Sequence, residues 1–163
     1  LVLYYFDFTA MQNQGLLEQG LIDELTYNIY RATSTDAVNF KVTNVAYTST
    51  TPITDPDVIK LNDNYYMYLA TKEGIIVTSA TSNEDQFTYQ ANTNIQGIPG
   101  TIEQNDQIHL YGCEPSGIVI ATSTDAITFT DQETRSEDSL SHSCDPAPLI
   151  LEDKQRALIV KKS

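Results

Sequence analysis

The chain contains no tryptophan, and its 163 residues include only two cysteines, seven glycines and nine lysine or arginine residues. No apolar run reaches the roughly 20 residues that a membrane-spanning helix needs. The nine basic residues stand against 22 acidic ones, which gives a formal net charge of −13 at pH 7. Such a charge disfavours contact with phosphate backbones and anionic lipid headgroups, so neither nucleic acid nor a membrane surface is an expected partner.

Potential metal ligands are also sparse. Neither Cys113 nor Cys144 has a second cysteine close by in the sequence, and the two histidines, His109 and His142, are far apart. Structural metal sites in proteins are assembled from closely spaced groups of such residues. The sequence therefore predicts no metal site, and we expect no other cofactor.

A segment that occurs three times is the most informative feature of the chain. Residues 32–40 (ATSTDAVNF) return as residues 121–129 (ATSTDAITF), and a weaker copy, residues 80–87 (ATSNEDQF), lies between them. Two Asp-Pro pairs, Asp55-Pro56 and Asp145-Pro146, recur at an interval of two repeats. The resulting period of about 45 residues predicts stacked supersecondary units.

Each repeat reads as four short strands joined by turns. The middle repeat contains an apolar run at residues 57–61, a turn at 62–64, an aromatic-rich strand at 65–70, a β-branched strand at 75–80 and a closing strand at 87–90. Four antiparallel strands in about 45 residues are typical of a β-propeller blade. Because radial stacking covers both faces of each sheet, we predict an all-β propeller of four-stranded antiparallel blades.

The blades do not add up to a closed ring. We predict complete blades at about residues 52–92 and 97–134, and blade remnants at residues 1–46 and 143–163. The whole chain, residues 1–163, is then a single partial propeller of about three and a half blades. Since a propeller needs closure to remove its sheet edges, we expect missing chain segments or self-association to complete it.

Several local features have structural interpretations. The Ser and Asp of the repeated segment are expected to cap a tight turn, and its Phe to pack between blades. Cys113 ends a predicted second strand and Cys144 precedes the first strand of the next blade, so a disulfide is expected, with two free buried thiols as the alternative. Residues 12–24 are interpreted as a long loop with one or two helical turns.

Residues 54–68 (TDPDVIKLNDNYYMY) resemble a blade of the five-bladed glycosidase propellers, the arabinanase and β-xylosidase family, to which the invertase and levanase propellers are related. Blades of that family open with an Asp-Pro or Pro-Asp pair, continue as a Val-Ile-Lys strand, turn, and return as a Tyr-rich strand. The resemblance implies a carbohydrate-binding or carbohydrate-active protein whose partner is a glycan or oligosaccharide. As an enzyme, it would be a glycoside hydrolase that uses Asp and Glu carboxyl groups from successive blades.

The resemblance assigns candidate catalytic positions to Asp55 or Asp57 and to Asp145. The family's remaining acidic position falls on Gly97 or Ile98, and neither residue carries a carboxyl group. The catalytic set is therefore incomplete in this chain. For Asp55 a purely structural role remains open, because an Asp before Pro at a strand entrance often caps a turn.

Three further residues are candidate binding groups. Glu103 lies along the same strand as the missing acid, His109 lies within a strand, and His142 lies in a Ser-rich loop. Two functions remain open for the whole chain: a carbohydrate-active propeller, or a non-catalytic structural, adhesion or self-assembling module. For either one we expect a secreted protein, extracellular or periplasmic.

Overall fold

A computed structural model describes residues 1–7, 25–115, 117–135 and 143–162. Thirteen strands and no helix occur in these residues, so the all-β prediction is confirmed and no segment there is a candidate membrane-spanning helix. The strands are β1 (Val2–Phe6), β2 (Tyr27–Thr33), β3 (Lys41–Ser49), β4 (Thr54–Leu61), β5 (Asn64–Thr71), β6 (Gly74–Ala80), β7 (Thr88–Asn92), β8 (Gly100–Gln104), β9 (Gln107–Glu114), β10 (Gly117–Ser123), β11 (Thr130–Arg135), β12 (Ser143–Ile150) and β13 (Arg156–Lys162).

The strands form four antiparallel sheets whose order follows the chain. We name them blade 1 (β1-β2-β3), blade 2 (β4-β5-β6-β7), blade 3 (β8-β9-β10-β11) and blade 4 (β12-β13). Blades 2 and 3 each contain four strands, while blade 1 has three and blade 4 has two. The predicted propeller of antiparallel blades is confirmed.

The core consists of three apolar clusters, one between each pair of successive blades. Blade 2 shows why both of its faces are buried: Ile75 and Val77 of β6 pack toward blade 3, whereas Ile76 between them packs toward blade 1. This alternation follows from the two-residue period of a strand. Burial of each such side chain contributes roughly 1.5–3 kcal/mol, so apolar packing stabilises the contacts between blades.

The repeated Ser-x-Asp segment is a capped turn, as predicted. In the first copy, Asp36 Oδ1 accepts hydrogen bonds from the backbone N–H groups of Val38 (3.0 Å) and Asn39 (2.8 Å) and from the hydroxyl of Ser34 (2.8 Å). The copy in blade 3 uses the matching donors at nearly the same distances. The two copies of the repeated segment thus form the same turn.

The aromatic residue after each turn packs between blades in two copies of three. Phe129 makes an edge-to-face contact with Tyr68 of blade 2, and Phe87 makes one with Tyr4 of blade 1, each at 5.8 Å between ring centroids. Phe40 of blade 1 is 40% exposed. No earlier blade is present among the described residues to cover it, so the packing role predicted for this Phe holds only where a preceding blade exists.

Cys113 and Cys144 form a disulfide with their Cα atoms 5.4 Å apart, which confirms the prediction and rejects the alternative of two free thiols. The bridge joins the end of β9 in blade 3 to the start of β12 in blade 4. The helical turns expected at residues 12–24 and the candidate His142 lie outside the described residues.

Candidate functional site

All four blades contribute to one open pocket of about 790 Å³, which we call the central pocket. Blade 1 supplies aromatic side chains, and the inner strands of blades 2, 3 and 4 supply their first residues together with the residues just before β8. The lining residues are Tyr4–Phe6, Thr54–Asp57, Ile98–Thr101 and Asp145–Pro148. The structure thus brings together all three aspartates that the sequence marked as catalytic candidates.

Asp55 and Asp145 occupy the same unusual backbone conformation in blades 2 and 4. Each has φ of 52° and each precedes a proline. The strand register shifts at both places, between Thr54 and Asp57 in β4 and between Cys144 and Ala147 in β12. A left-handed non-glycine residue costs roughly 1–2 kcal/mol, and β-bulges of this kind concentrate beside functional sites, where they redirect a side chain.

These two aspartates remain accessible. Asp55 is exposed and accepts a 2.6 Å hydrogen bond from the hydroxyl of Thr54. The Asp145 carboxylate lies 3.7 Å from the ammonium of Lys161, and the two side chains are 42% and 77% exposed. An ion pair this exposed contributes little to stability. Both carboxylates are therefore available to a ligand.

Asp57 has a different environment. Its Oδ2 accepts a 2.6 Å hydrogen bond from the hydroxyl of Thr101 on the inner strand of blade 3. Burial raises the pKa of Asp57, and hydrogen bonds from Thr101 and from the backbone N–H of Val58 oppose that rise without cancelling it. The pocket therefore combines one carboxyl that holds its proton more tightly than usual with two accessible carboxylates.

The backbone of blade 3 shows why the acidic residue expected at Gly97 or Ile98 is missing. Pro56 precedes Asp57, and Pro99 precedes Gly100 at the matching position, so Ile98 stands where blades 2 and 4 carry Asp55 and Asp145. Gly97 has φ of 91°, and a Cβ atom built there would collide with Cys113. No side chain fits at Gly97, and Ile98 gives the pocket an aliphatic wall at this point.

Of the candidate binding residues, Glu103 and His109 do not line the central pocket. Glu103 accepts a 2.9 Å hydrogen bond from the backbone N–H of Asp106, within the β8–β9 turn. His109 is 8% exposed and lines a second groove, about 840 Å³, between blades 3 and 4. Its Nδ1 lies 2.8 Å from Nη1 of Arg156. Because a guanidinium only donates, Nδ1 accepts and the ring proton is on Nε2.

Sequence reasoning missed the aromatic wall and Thr101. Tyr4, Tyr5 and Phe6 line the pocket, and none of them was among the candidate site residues. Tyr5 stacks on Tyr30 with 5.7 Å between ring centroids, and the Tyr4 hydroxyl donates to the carbonyl of Asn83 at 2.9 Å. Tyr4 and Phe6 also pack against the apolar cluster between blades 1 and 2, so the run of aromatics alone did not separate pocket from core.

In the part of the chain that the structure describes, no three His, Cys, Asp or Glu residues are grouped as metal ligands would be. Asp55, Asp57 and Asp145 are among these residues and do not form such a group.

The fold and pocket define a β-propeller with an acidic, aromatic-walled central pocket. No family model matches the chain, and no curated protein matches it by sequence. Solved structures share its fold. An endo-arabinase from Bacteroides thetaiotaomicron superposes with a TM-score of 0.63 at 13% identity, covering 83% of this chain and 63% of that one.

Two further structures with the same fold are β-xylosidases. The RS223 β-xylosidase gives a TM-score of 0.56 at 16% identity, with 71% of this chain and 49% of that chain covered. A GH43 β-xylosidase/α-arabinofuranosidase from a compost metagenome, solved with xylotriose in a calcium-free form, gives 0.51 at 16% identity, with coverage of 66% and 42%. The chain thus spans 42–63% of the length of these three proteins. The predicted resemblance to propeller glycosidases is confirmed at the level of the fold.

Proposed function

We propose that the central pocket binds an oligosaccharide that contains pentoses. The observation that carries the proposal is the meeting of Asp55, Asp57 and Asp145 with the aromatic wall of Tyr4 and Tyr5 in one open pocket. Carboxylate oxygens accept hydrogen bonds from sugar hydroxyls, and aromatic rings supply apolar contact area for a sugar. The compost-metagenome enzyme that shares the fold was solved with xylotriose, which supports a pentose ligand.

Hydrolysis of the bound glycan is favoured by one further finding, the contrast between the carboxyl groups. Glycoside hydrolysis needs a carboxylic acid that protonates the leaving oxygen and a carboxylate that acts on the opposite side. Burial raises the pKa of Asp57, which suits it to the acid role, whereas the exposed Asp55 and Asp145 suit the carboxylate role. On this proposal Asp57 replaces the acid that blade 3 lacks.

The non-catalytic alternative is favoured by Ile98. In blade 3 it places an aliphatic side chain where blades 2 and 4 have aspartate, so the pocket is polar on two walls and apolar on the third. Without an acid from blade 3 or a substitute for it, such a pocket would hold a sugar and leave the glycosidic bond intact. Binding is therefore the primary proposal, and hydrolysis is tested separately.

The experiment titrates the protein with arabino- and xylo-oligosaccharides by calorimetry. We expect Asp57→Asn and Asp145→Asn each to weaken affinity at least tenfold. Asp106→Asn is the matched control, because Asp106 lies in the β8–β9 turn outside the pocket and its φ of 60° suits Asn equally well. Release of new reducing ends distinguishes hydrolysis from binding. If the unaltered protein binds neither series, the proposed function is wrong.

Two related proposals concern the context of the chain. The disulfide supports an oxidising compartment, extracellular or periplasmic. Among the described residues β1 and β13 are the outermost strands of sheets with three and two strands, and we propose that further chain or a second copy completes these sheets. Thiol counting on protein recovered from its native compartment tests the first proposal. For the second, a strictly monomeric species of 18.2 kDa excludes the copy.

A further inference from the structure

We infer that the Cys113–Cys144 disulfide is a positioning element for the central pocket, which holds the blade 3 wall and the blade 4 wall against each other. The inference deepens the proposed function and rests on it for its meaning in ligand binding. Its geometric basis is that each half of the bridge adjoins a different pocket wall. Cys113 lies under the wall of blade 3, and Cys144 begins the wall of blade 4.

The blade 4 wall has few backbone restraints of its own. Cys144 directly precedes Asp145, and the register of β12 against β13 breaks between Cys144 and Ala147. Pro146 and Pro148 have no backbone N–H and donate nothing to the strand ladder. The ladder therefore skips Asp145 and Pro146 and resumes at Ala147, which leaves the covalent bond at Cys144 as a further anchor directly beside Asp145.

The blade 3 wall rests directly on the other half of the bridge. Cys113 N–H donates to the carbonyl of Gln96 at 3.0 Å, and the N–H of Ile98 lies 3.5 Å from Cys113 Sγ. Gly97, between them, is so close to Cys113 that a Cβ atom would overlap its sulfur. The segment that leads into the pocket at Ile98 is thus seated on the sulfur atom that bonds to Cys144.

The two walls also touch each other. A Cβ atom built on Gly100 would collide with the carbonyl of Pro146 and would lie 2.9 Å from Cδ of Pro148. Contact this close between β8 and β12 requires the two backbones to hold a fixed separation. The bridge sets that separation at one end of the contact, where the Cα atoms of Cys113 and Cys144 are 5.4 Å apart.

The other interfaces do not depend on the bridge. The apolar clusters between blades 1 and 2 and between blades 2 and 3 contain neither cysteine. We therefore expect loss of the disulfide to loosen the two pocket walls while blade 2 stays protected.

The test replaces both cysteines, as Cys113→Ser with Cys144→Ser, and follows amide hydrogen exchange together with oligosaccharide affinity. We expect the amides of Ile98 and Ala147 to exchange at least tenfold faster, while the exchange of Ile76 and Val77 in blade 2 is unchanged. The affinity for the oligosaccharide should fall at least tenfold. Thr78→Val is the control, because it removes the buried 3.2 Å hydrogen bond to the carbonyl of Met67 on a strand, β6, that does not line the pocket. It should lower stability and leave exchange at the walls unchanged.

If the serine variant does not fold, the oxidised protein is reduced after folding with a water-soluble phosphine. The phosphine gives two electrons to the disulfide and becomes its oxide with oxygen from water, and two thiols form. Unchanged wall exchange, or exchange that rises equally in blade 2, overturns the inference. Faster exchange at the walls in a protein that binds no sugar leaves the positioning role standing and rejects only the proposed function.

Discussion

The hydroxyl of Thr101 donates a 2.6 Å hydrogen bond to the carboxyl of Asp57, which lies 44 positions earlier in the chain on the inner strand of the preceding blade. The bond links the first strand of blade 2 to that of blade 3 beside the central pocket. Ionisation of Asp57 is therefore coupled to contact between two blades.

As pH rises, the Asp57→Asn variant should become more stable relative to the unaltered protein. Burial raises the pKa of Asp57 in the folded state, so between the unfolded value of about 3.9 and the folded value the folded state binds more protons. Ionised Asp57 then costs stability above its folded pKa, and the uncharged Asn avoids that cost. Urea unfolding of both proteins from pH 3 to pH 8 measures the difference. If the unaltered protein instead gains free energy of unfolding relative to the variant at high pH, the pKa of Asp57 is not raised in the folded state.

Thr101→Val should raise the pKa of Asp57 further. The hydroxyl bond favours the charged carboxylate, and valine keeps the volume of threonine while removing the donor. Carbon-13 NMR of the Asp57 carboxyl, followed through a pH titration, gives the pKa directly. Thr101→Ser retains the donor and serves as the control. Identical titration curves for the Val and Ser variants count against this bond.

Asp125→Asn should destabilise the protein at neutral pH but not in acid. Although burial raises the pKa of Asp125, hydrogen bonds from the backbone N–H groups of Thr128 and Ile127 and from the Ser123 hydroxyl bring it down to about 2. The resulting stabilisation is present above the unfolded value of about 3.9 and is lost as pH falls through the folded pKa. A loss of about 1 kcal/mol at pH 7 is typical of such bonds. Thermal unfolding at pH 2 and pH 7 checks the sign, and equal losses at both would rule out the charge as the cause.

Ala37→Gly should stabilise the protein by about 0.5 kcal/mol. A left-handed alanine costs roughly 1–2 kcal/mol, and glycine avoids this cost but loses more backbone conformational entropy on folding. Ala37 has φ of 62° and is exposed, so nothing is lost in packing. Ala126 holds the matching position with φ of 63° but is fully buried. Ala126→Gly should therefore gain less. Denaturant midpoints of the two variants give the comparison, and a larger gain at Ala126 would reject the strain argument.

The blades were predictable from the sequence because their signals are local. Alternating apolar residues, turn residues and a repeated Ser-x-Asp segment each act within a few positions, and the period of the repeat supplied the architecture. The three pocket aspartates were predictable from the Asp-Pro pairs and the family resemblance.

Other features of the structure depend on contacts between residues far apart in the sequence. The backbone bulges at Asp55 and Asp145, the bond from Thr101, and the pairing of His109 with Arg156 all join or reshape separate strands. The environment of Glu103 was missed for a related reason, since only the turn geometry shows that its carboxylate is satisfied by Asp106. One sequence alone does not tell which residues on separate strands are in contact.

The Ser-x-Asp turn is chemically self-sufficient. The hydrogen bonds to the Asp36 carboxylate all come from residues 34–39. A stretch of gene encoding this unit can be copied in tandem without its turn needing any new partner, and only the apolar faces must then adapt to fresh neighbours. Duplication of a whole blade therefore requires fewer new contacts than the addition of a single strand.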